Sequence, residues 1–294
     1  MPATTRPLAA ADERSATRHF AVGVARAAGG AILFGLPLLL TMEMWHLGFA
    51  MDRGRLALLV VANVPLLVGL SHVSGFEETF GVTEDVVDAF VAYAVGFAMS
   101  AAVLALLGRL GPGVAASEAI GKVVLQAVPA SIGALLAQSQ FGPSRADAAG
   151  SREPGAGSPP RQRPSGYVGE VFLMAVGALF LAFNVAPTEE VALSSYVMTP
   201  WHVLALAVVS LGVMHAFVYA VEFSGQHAAP PGTPFHHVFL RFTVVGYAVA
   251  LLICAYVLWT FGRLDDTAWA ERVAGVLVLG FPAAVGAAAA RLIL

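Results

Sequence analysis

The chain has 294 residues, 58% of them hydrophobic and only 12% charged, with a formal net charge of −3. A soluble domain carries about 25% charged residues, so this composition excludes a solvated surface and predicts an all-α, polytopic helical membrane protein. No basic patch points to nucleic acid. The one cysteine, Cys254 in an apolar run, excludes an intrachain disulfide or a cysteine-based zinc site.

Residues 1–24 mix Arg6, Arg14 and Arg18 with Asp12 and Glu13 and read as a short polar, cytoplasmic tail, not a signal peptide. A bilayer span needs roughly 20 mostly apolar residues. Eight segments meet that need: 25–41, 56–74, 86–107, 120–138, 168–186, 201–221, 238–261 and 269–292. Asp52, and Thr199 followed by Pro200, are placed to cap the second and sixth spans. The segments 42–51 and 189–198 are too apolar for ordinary loops and too short to cross. They read as broken helix continuations or interfacial helices. Residues 142–166, rich in Pro, Gly, Ser and Arg, read as a disordered cytoplasmic linker.

The two halves match each other. At an offset of 147, Thr41, Glu43 and Met51 fall on Thr188, Glu190 and Met198. After a seven-residue insertion at 227–233 the offset becomes 154, and Tyr93 and Gly108-Arg109-Leu110 fall on Tyr247 and Gly262-Arg263-Leu264. The expectation is two membrane repeats of four helices, 25–141 and 167–294. With an even number of crossings per copy, these repeats are parallel. The arginines set the orientation. Arg6, Arg14, Arg18, Arg26, Arg145, Arg152, Arg161, Arg163, Arg241 and Arg291 gather on one side, against Arg53, Arg55, Arg109, Arg263 and Arg272 on the other. The richer side holds both termini and is cytoplasmic by the positive-inside rule.

Three groups of polar residues carry candidate chemistry. The first is Thr41/Glu43 and Thr188/Glu190, with Glu189 and Asn184 alongside, after helix breaks at Pro37 and Pro187. Oxygen ligands at such breaks suit protons or hard cations. The same residues also read as ordinary capping, Thr at the N-cap and Glu in the first turn. Glu43 lies 18 residues beyond Ala25, about 27 Å of rise, near the edge of the hydrocarbon core. The second group, His215, Tyr219 and Glu222, shares one helix face, with His72 equivalent to Tyr219. It reads as a proton path or as hydrogen bonds between helices. The third, Glu118, Lys122 and Gln126, reads as a helix ion pair with a polar neighbour. His227, His236 and His237 lack ligand spacing, and the acidic run Glu77, Glu78, Glu84, Asp85 and Asp88 reads as a solvated loop.

The runs FGLPLLLTMEMW (34–45), FNVAPTEE (183–190) and MHAFVYAVEF (214–223) resemble a family of bacterial integral membrane proteins of unknown function. The resemblance covers the chain from about residue 25, apart from the linker, and implies an inner-membrane protein without specifying an activity. Asn184, Pro187 and Glu190 are also similar to the Asn/Pro/Glu signature of cation/calcium exchangers. The chain departs from that signature at Phe183, where a glycine is expected, in the separation of Pro from Glu, in the lack of an Asn in the first copy, and in parallel, not inverted, repeats. The functional expectation is a secondary transporter or channel for a cation or proton. Its alternative is a non-catalytic membrane scaffold. No HExxH, GxSxG or paired catalytic aspartate motif supports an enzyme. The expected partners are the lipid bilayer, a small cation or proton, and a second copy or another membrane protein. No cofactor is implied.

Overall fold

A computed structural model describes residues 6–74, 82–141, 167–220 and 239–293, and among these there is no strand. In chain order come α1 (Arg6–Leu39), α2 (Met42–Ala50), α3 (Arg53–Ser74), α4 (Val82–Leu106) and α5 (Ala116–Phe141). Then follow α6 (Tyr167–Val185), α7 (Glu189–Val197), α8 (Pro200–Ala220), a π-helical turn (Phe239–Val244) running into α9 (Val245–Thr260), and α10 (Trp269–Ile293). Eight stretches among these are long and apolar enough to cross a bilayer, the same eight that the hydropathy pattern predicts. The expected linker at 142–166, the insertion at 227–233, and Glu77, Glu78, Glu222, His227, His236 and His237 lie outside the described residues.

The polar N-terminal segment is helical from Arg6 onward. Its alanines at 9–11 and 16 favour helix whether or not the segment is polar. The caps are where the sequence puts them. Asp52 Oδ1 accepts from the Arg55 N–H at 2.9 Å, and Thr199 Oγ1 accepts from the His202 N–H at 3.5 Å. The Gly-Arg-Leu triplets also gain a physical reason. Gly108 (φ 69°) and Gly262 (φ 72°) take the left-handed turn after α4 and α9. The next N–H closes each helix, Arg109 to Leu104 and Arg263 to Leu258, both at 2.8 Å.

Contacts divide the chain into two compact units. The first comprises Met1–Leu39, Ala62–Ala115 and Val123–Ser158; the second comprises Leu40–Val61, Ala116–Lys122 and Pro159–Leu294. The helices α3 and α5 each contribute residues to both.

In the first unit, α1 meets α5 at a glycine pair: a methyl group on Gly30 would stand 2.4 Å from the Gly133 carbonyl oxygen and 2.4 Å from Ala137 Cβ. The interior there is partly polar. Asn63 donates to Ser131 at 3.0 Å, and the fully buried Gln126 donates to the Leu38 carbonyl at 3.0 Å.

In the second unit, α10 packs against α6, α7, α8 and α9. It meets α6 where a methyl on Gly177 would stand 2.2 Å from the Gly286 oxygen and 2.5 Å from Ala290 Cβ. Small residues here let backbones approach as lipid-embedded helices require. α5 and α10 are the most buried spans, and α8 is the least buried. Val61, Leu106, Val208 and Leu252 are exposed apolar side chains on these spans, suited to lipid and not to water.

Candidate functional site

The short helix α2 builds one wall of a cleft of about 940 Å³, every lining residue of which belongs to the second unit. α2 is fixed by its buried face, Met44, Leu47 and Gly48. Gly48 lies against the first turns of α5, and a methyl on Gly121 would stand 1.8 Å from the Gly48 oxygen. Arg53 closes the far end of α2, donating to the Gly48 carbonyl at 3.0 Å and to the Ser117 carbonyl at 3.4 Å. The opposite face of α2 carries Met42, Trp45, His46 and Phe49 at helical spacing, and all four line the cleft with Glu43.

The other walls come from the start of α3, from Lys122, from Glu189 and from the turn at 260–265. Arg55 ties that turn to α3. Its guanidinium grips Asp265 through two bonds of 2.7 and 2.9 Å, donates to the Trp259 carbonyl at 2.8 Å, and stacks 4.9 Å from the Trp259 ring centroid. The hydrogen bond from Arg55 holds the Asp265 carboxyl below its ordinary value. Arg263 donates to Glu189 at 2.8 Å and to the Pro187 carbonyl. Lys122, 7% exposed, lies 2.5 Å from Glu118, the ion pair expected from their spacing.

Every cation lining the cleft is thus engaged by a carboxylate, and Asp52 is engaged as a cap. Glu43, half-buried in the lining, has no hydrogen-bond or ion-pair partner among the described residues. His46 stands one turn further on, exposed, its ring 4.8 Å from Phe49.

Thr41 and Thr188 occupy the N-caps of α2 and α7, but neither hydroxyl accepts from the helix it precedes. Thr188 donates instead to the Val185 carbonyl at 2.8 Å. Glu190 is exposed and outside the cleft lining. The Thr188 hydroxyl, and then its own backbone N–H, hold its carboxyl below the usual range. That is the direction of a charged group at a helix start, not of a desolvated pair. Asn184 donates within α6 to the Phe180 carbonyl at 2.8 Å.

On the second candidate face, His215 Nδ1 sits 2.9 Å from the Thr243 hydroxyl. Tyr219 lies in the last turn of α8. His72 Nδ1 is 2.9 Å from Asp85.

The acidic run departs from the solvated-loop reading. Asp85 and Asp88 are 2% and 6% exposed, because α4 already begins at Val82 and sets them on its buried face with Ala89 and Ala92. Ser71 donates to Asp88 at 3.3 Å. The spacing i, i+3 next to those small apolar residues was the signal for this burial. Among the described residues, no group of three or more His, Cys, Asp or Glu side chains is placed to hold a metal.

A family model described as a putative integral membrane protein (DUF2391) matches residues 23–294. None of the curated proteins and none of the solved structures compared with the chain matches it.

Proposed function

Because the chain belongs to this family of integral membrane proteins, we propose that it is a secondary transporter or channel for a small cation or proton, with the cleft around Glu43 as its entrance. The observation that carries the reading is the cleft's charge pattern. Three cations and their carboxylates are mutually engaged, and of the carboxylates that line the cleft only Glu43 has no partner among the described residues. A carboxylate at a helix break is where transporter folds place ion ligands. Glu189 shares the cleft with Glu43, whereas Thr41, Thr188, Asn184 and Glu190 serve the helix breaks around it. The candidate proton path of His215, Tyr219, Glu222 and His72 is a separate part of the same proposal.

The architecture we propose is two parallel four-span repeats, with both termini on the cytoplasmic side of the inner membrane. Several local features support the duplication. α2 and α7 are both nine residues long. The left-handed glycines after α4 and α9 are equivalent. The glycine crossing of α1 on α5 recurs for α6 on α10. The arginine asymmetry supports the orientation.

The test is a flux screen of the purified protein in proteoliposomes over protons, sodium, potassium and calcium. Flux above that of empty vesicles is expected for at least one ion. Flux equal to that of empty vesicles for all of them leaves the scaffold reading in its place.

A further inference from the structure

We infer that the cleft takes an organic ammonium group in preference to a bare metal ion; the inference rests on reading the cleft as the cation site and narrows what it binds. Size is the first argument. A volume of about 940 Å³ is at the upper end of the roughly 300–1,000 Å³ of small-molecule sites. A dehydrated metal ion is held instead by a close shell of several oxygens. Among the described residues no three His, Cys, Asp or Glu side chains converge to begin such a shell.

Charge is the second argument. An anion entering the cleft meets Arg55, Arg263 and Lys122 already paired with Asp265, Glu189 and Glu118. A cation meets Glu43. The third argument is the aromatic wall. Trp45 and Phe49, one turn apart on α2, line the same cleft as Glu43. An alkylated ammonium is held by a carboxylate together with ring faces, each ring adding about 0.5–2 kcal/mol when desolvated. The cleft opens where spans end, so the ammonium can belong to a free small cation or to the headgroup of a choline lipid.

The experiment uses the full chain and tetramethylammonium as the probe, read by tryptophan fluorescence against sodium chloride of equal ionic strength. In a detergent without ammonium groups, a saturable response is expected. It should weaken at least tenfold in Glu43→Gln, persist in Glu190→Gln and vanish in Trp45→Phe. Glu43→Asp, with its charge kept, should recover part of it, and size-exclusion profiles confirm that each variant is folded. The two sources separate in nanodiscs: phosphatidylcholine suppresses the response if the headgroup is the occupant, and leaves it equal to that in phosphatidylglycerol if a free cation is. No response beyond the sodium control, or an undiminished response in folded Glu43→Gln, overturns the inference. Ion flux without a tetramethylammonium response removes this inference alone. A response without any flux removes the transport reading and leaves the site.

Discussion

The glycine crossing between α6 and α10 sets a stability prediction with a sharp control. In Gly177→Ala the new methyl would lie 2.2 Å from the Gly286 oxygen and 2.5 Å from Ala290 Cβ. Ordinary contact begins near 3.4 Å, so the helices must separate by about 1 Å or the new methyl stays strained. Overpacking of this kind costs about 1–3 kcal/mol, a roughly 5- to 160-fold loss in the folded-to-unfolded ratio. Gly286→Ala, 2.2 Å from the Gly177 oxygen, is expected to cost the same, and the two changes should not add, because the first already opens the crossing. Gly212→Ala is the control. It sits in a span, with nothing within 4 Å of the new methyl, and should be neutral or slightly stabilising. The assay is reversible unfolding in mixed micelles of mild detergent and dodecyl sulfate. A Gly177→Ala protein within 0.5 kcal/mol of wild type would refute the close crossing.

Gly262→Ala, which places a methyl-bearing residue at φ 72°, should destabilise by about 1–2 kcal/mol in the same assay, with Gly111→Ala neutral. Arg263→Ala should cost about 1–3 kcal/mol by freeing the Pro187 carbonyl. Glu189→Gln should cost under about 1 kcal/mol because that carboxylate is 72% exposed; equal losses would contradict this division. The Asp265 carboxyl is held below its ordinary 3.8 by Arg55. The unfolded chain therefore takes up that proton first as pH falls. The stabilisation is complete above the ordinary value and disappears as pH drops through the lower folded one. The melting difference between wild type and Asp265→Asn should be constant from pH 7 to 5 and shrink below about pH 4. Reporter fusions at the N-terminus, at Gly155 and after Leu294 should all report the same side of the membrane, and a different signal at any one of them breaks the even-crossing, parallel arrangement.

The spans were legible because each is a single local statement of apolar length, and the N-caps because Asp52, Thr199 and Pro200 act within one turn of chain. The glycine crossings were half legible. Gly30 and Gly177 stand out, but their partners do not align at an offset of 154. One residue is lost after Leu125 and Leu279, and at an offset of 153 Pro129, Gly133 and Ala137 fall on Pro282, Gly286 and Ala290. The acidic run misled because charge alone does not tell a loop from the first turns of a buried helix. The cleft was least legible. Arg55 meets Asp265 across 210 residues, a contact no local pattern announces. Glu189 lines the cleft, and Glu190, the equivalent of Glu43, does not, because adjacent helix positions point about 100° apart.

The claim on which the functional account turns is that Glu43, facing the cleft, handles the ion, while its sequence equivalent Glu190 does not. The direct measurement is the initial rate of ion uptake into proteoliposomes by wild type, Glu43→Gln and Glu190→Gln at equal protein content. The account predicts loss of at least nine-tenths of the rate in Glu43→Gln and a rate within a factor of two of wild type in Glu190→Gln. Equal rates in wild type and Glu43→Gln, or loss in Glu190→Gln alone, would contradict it.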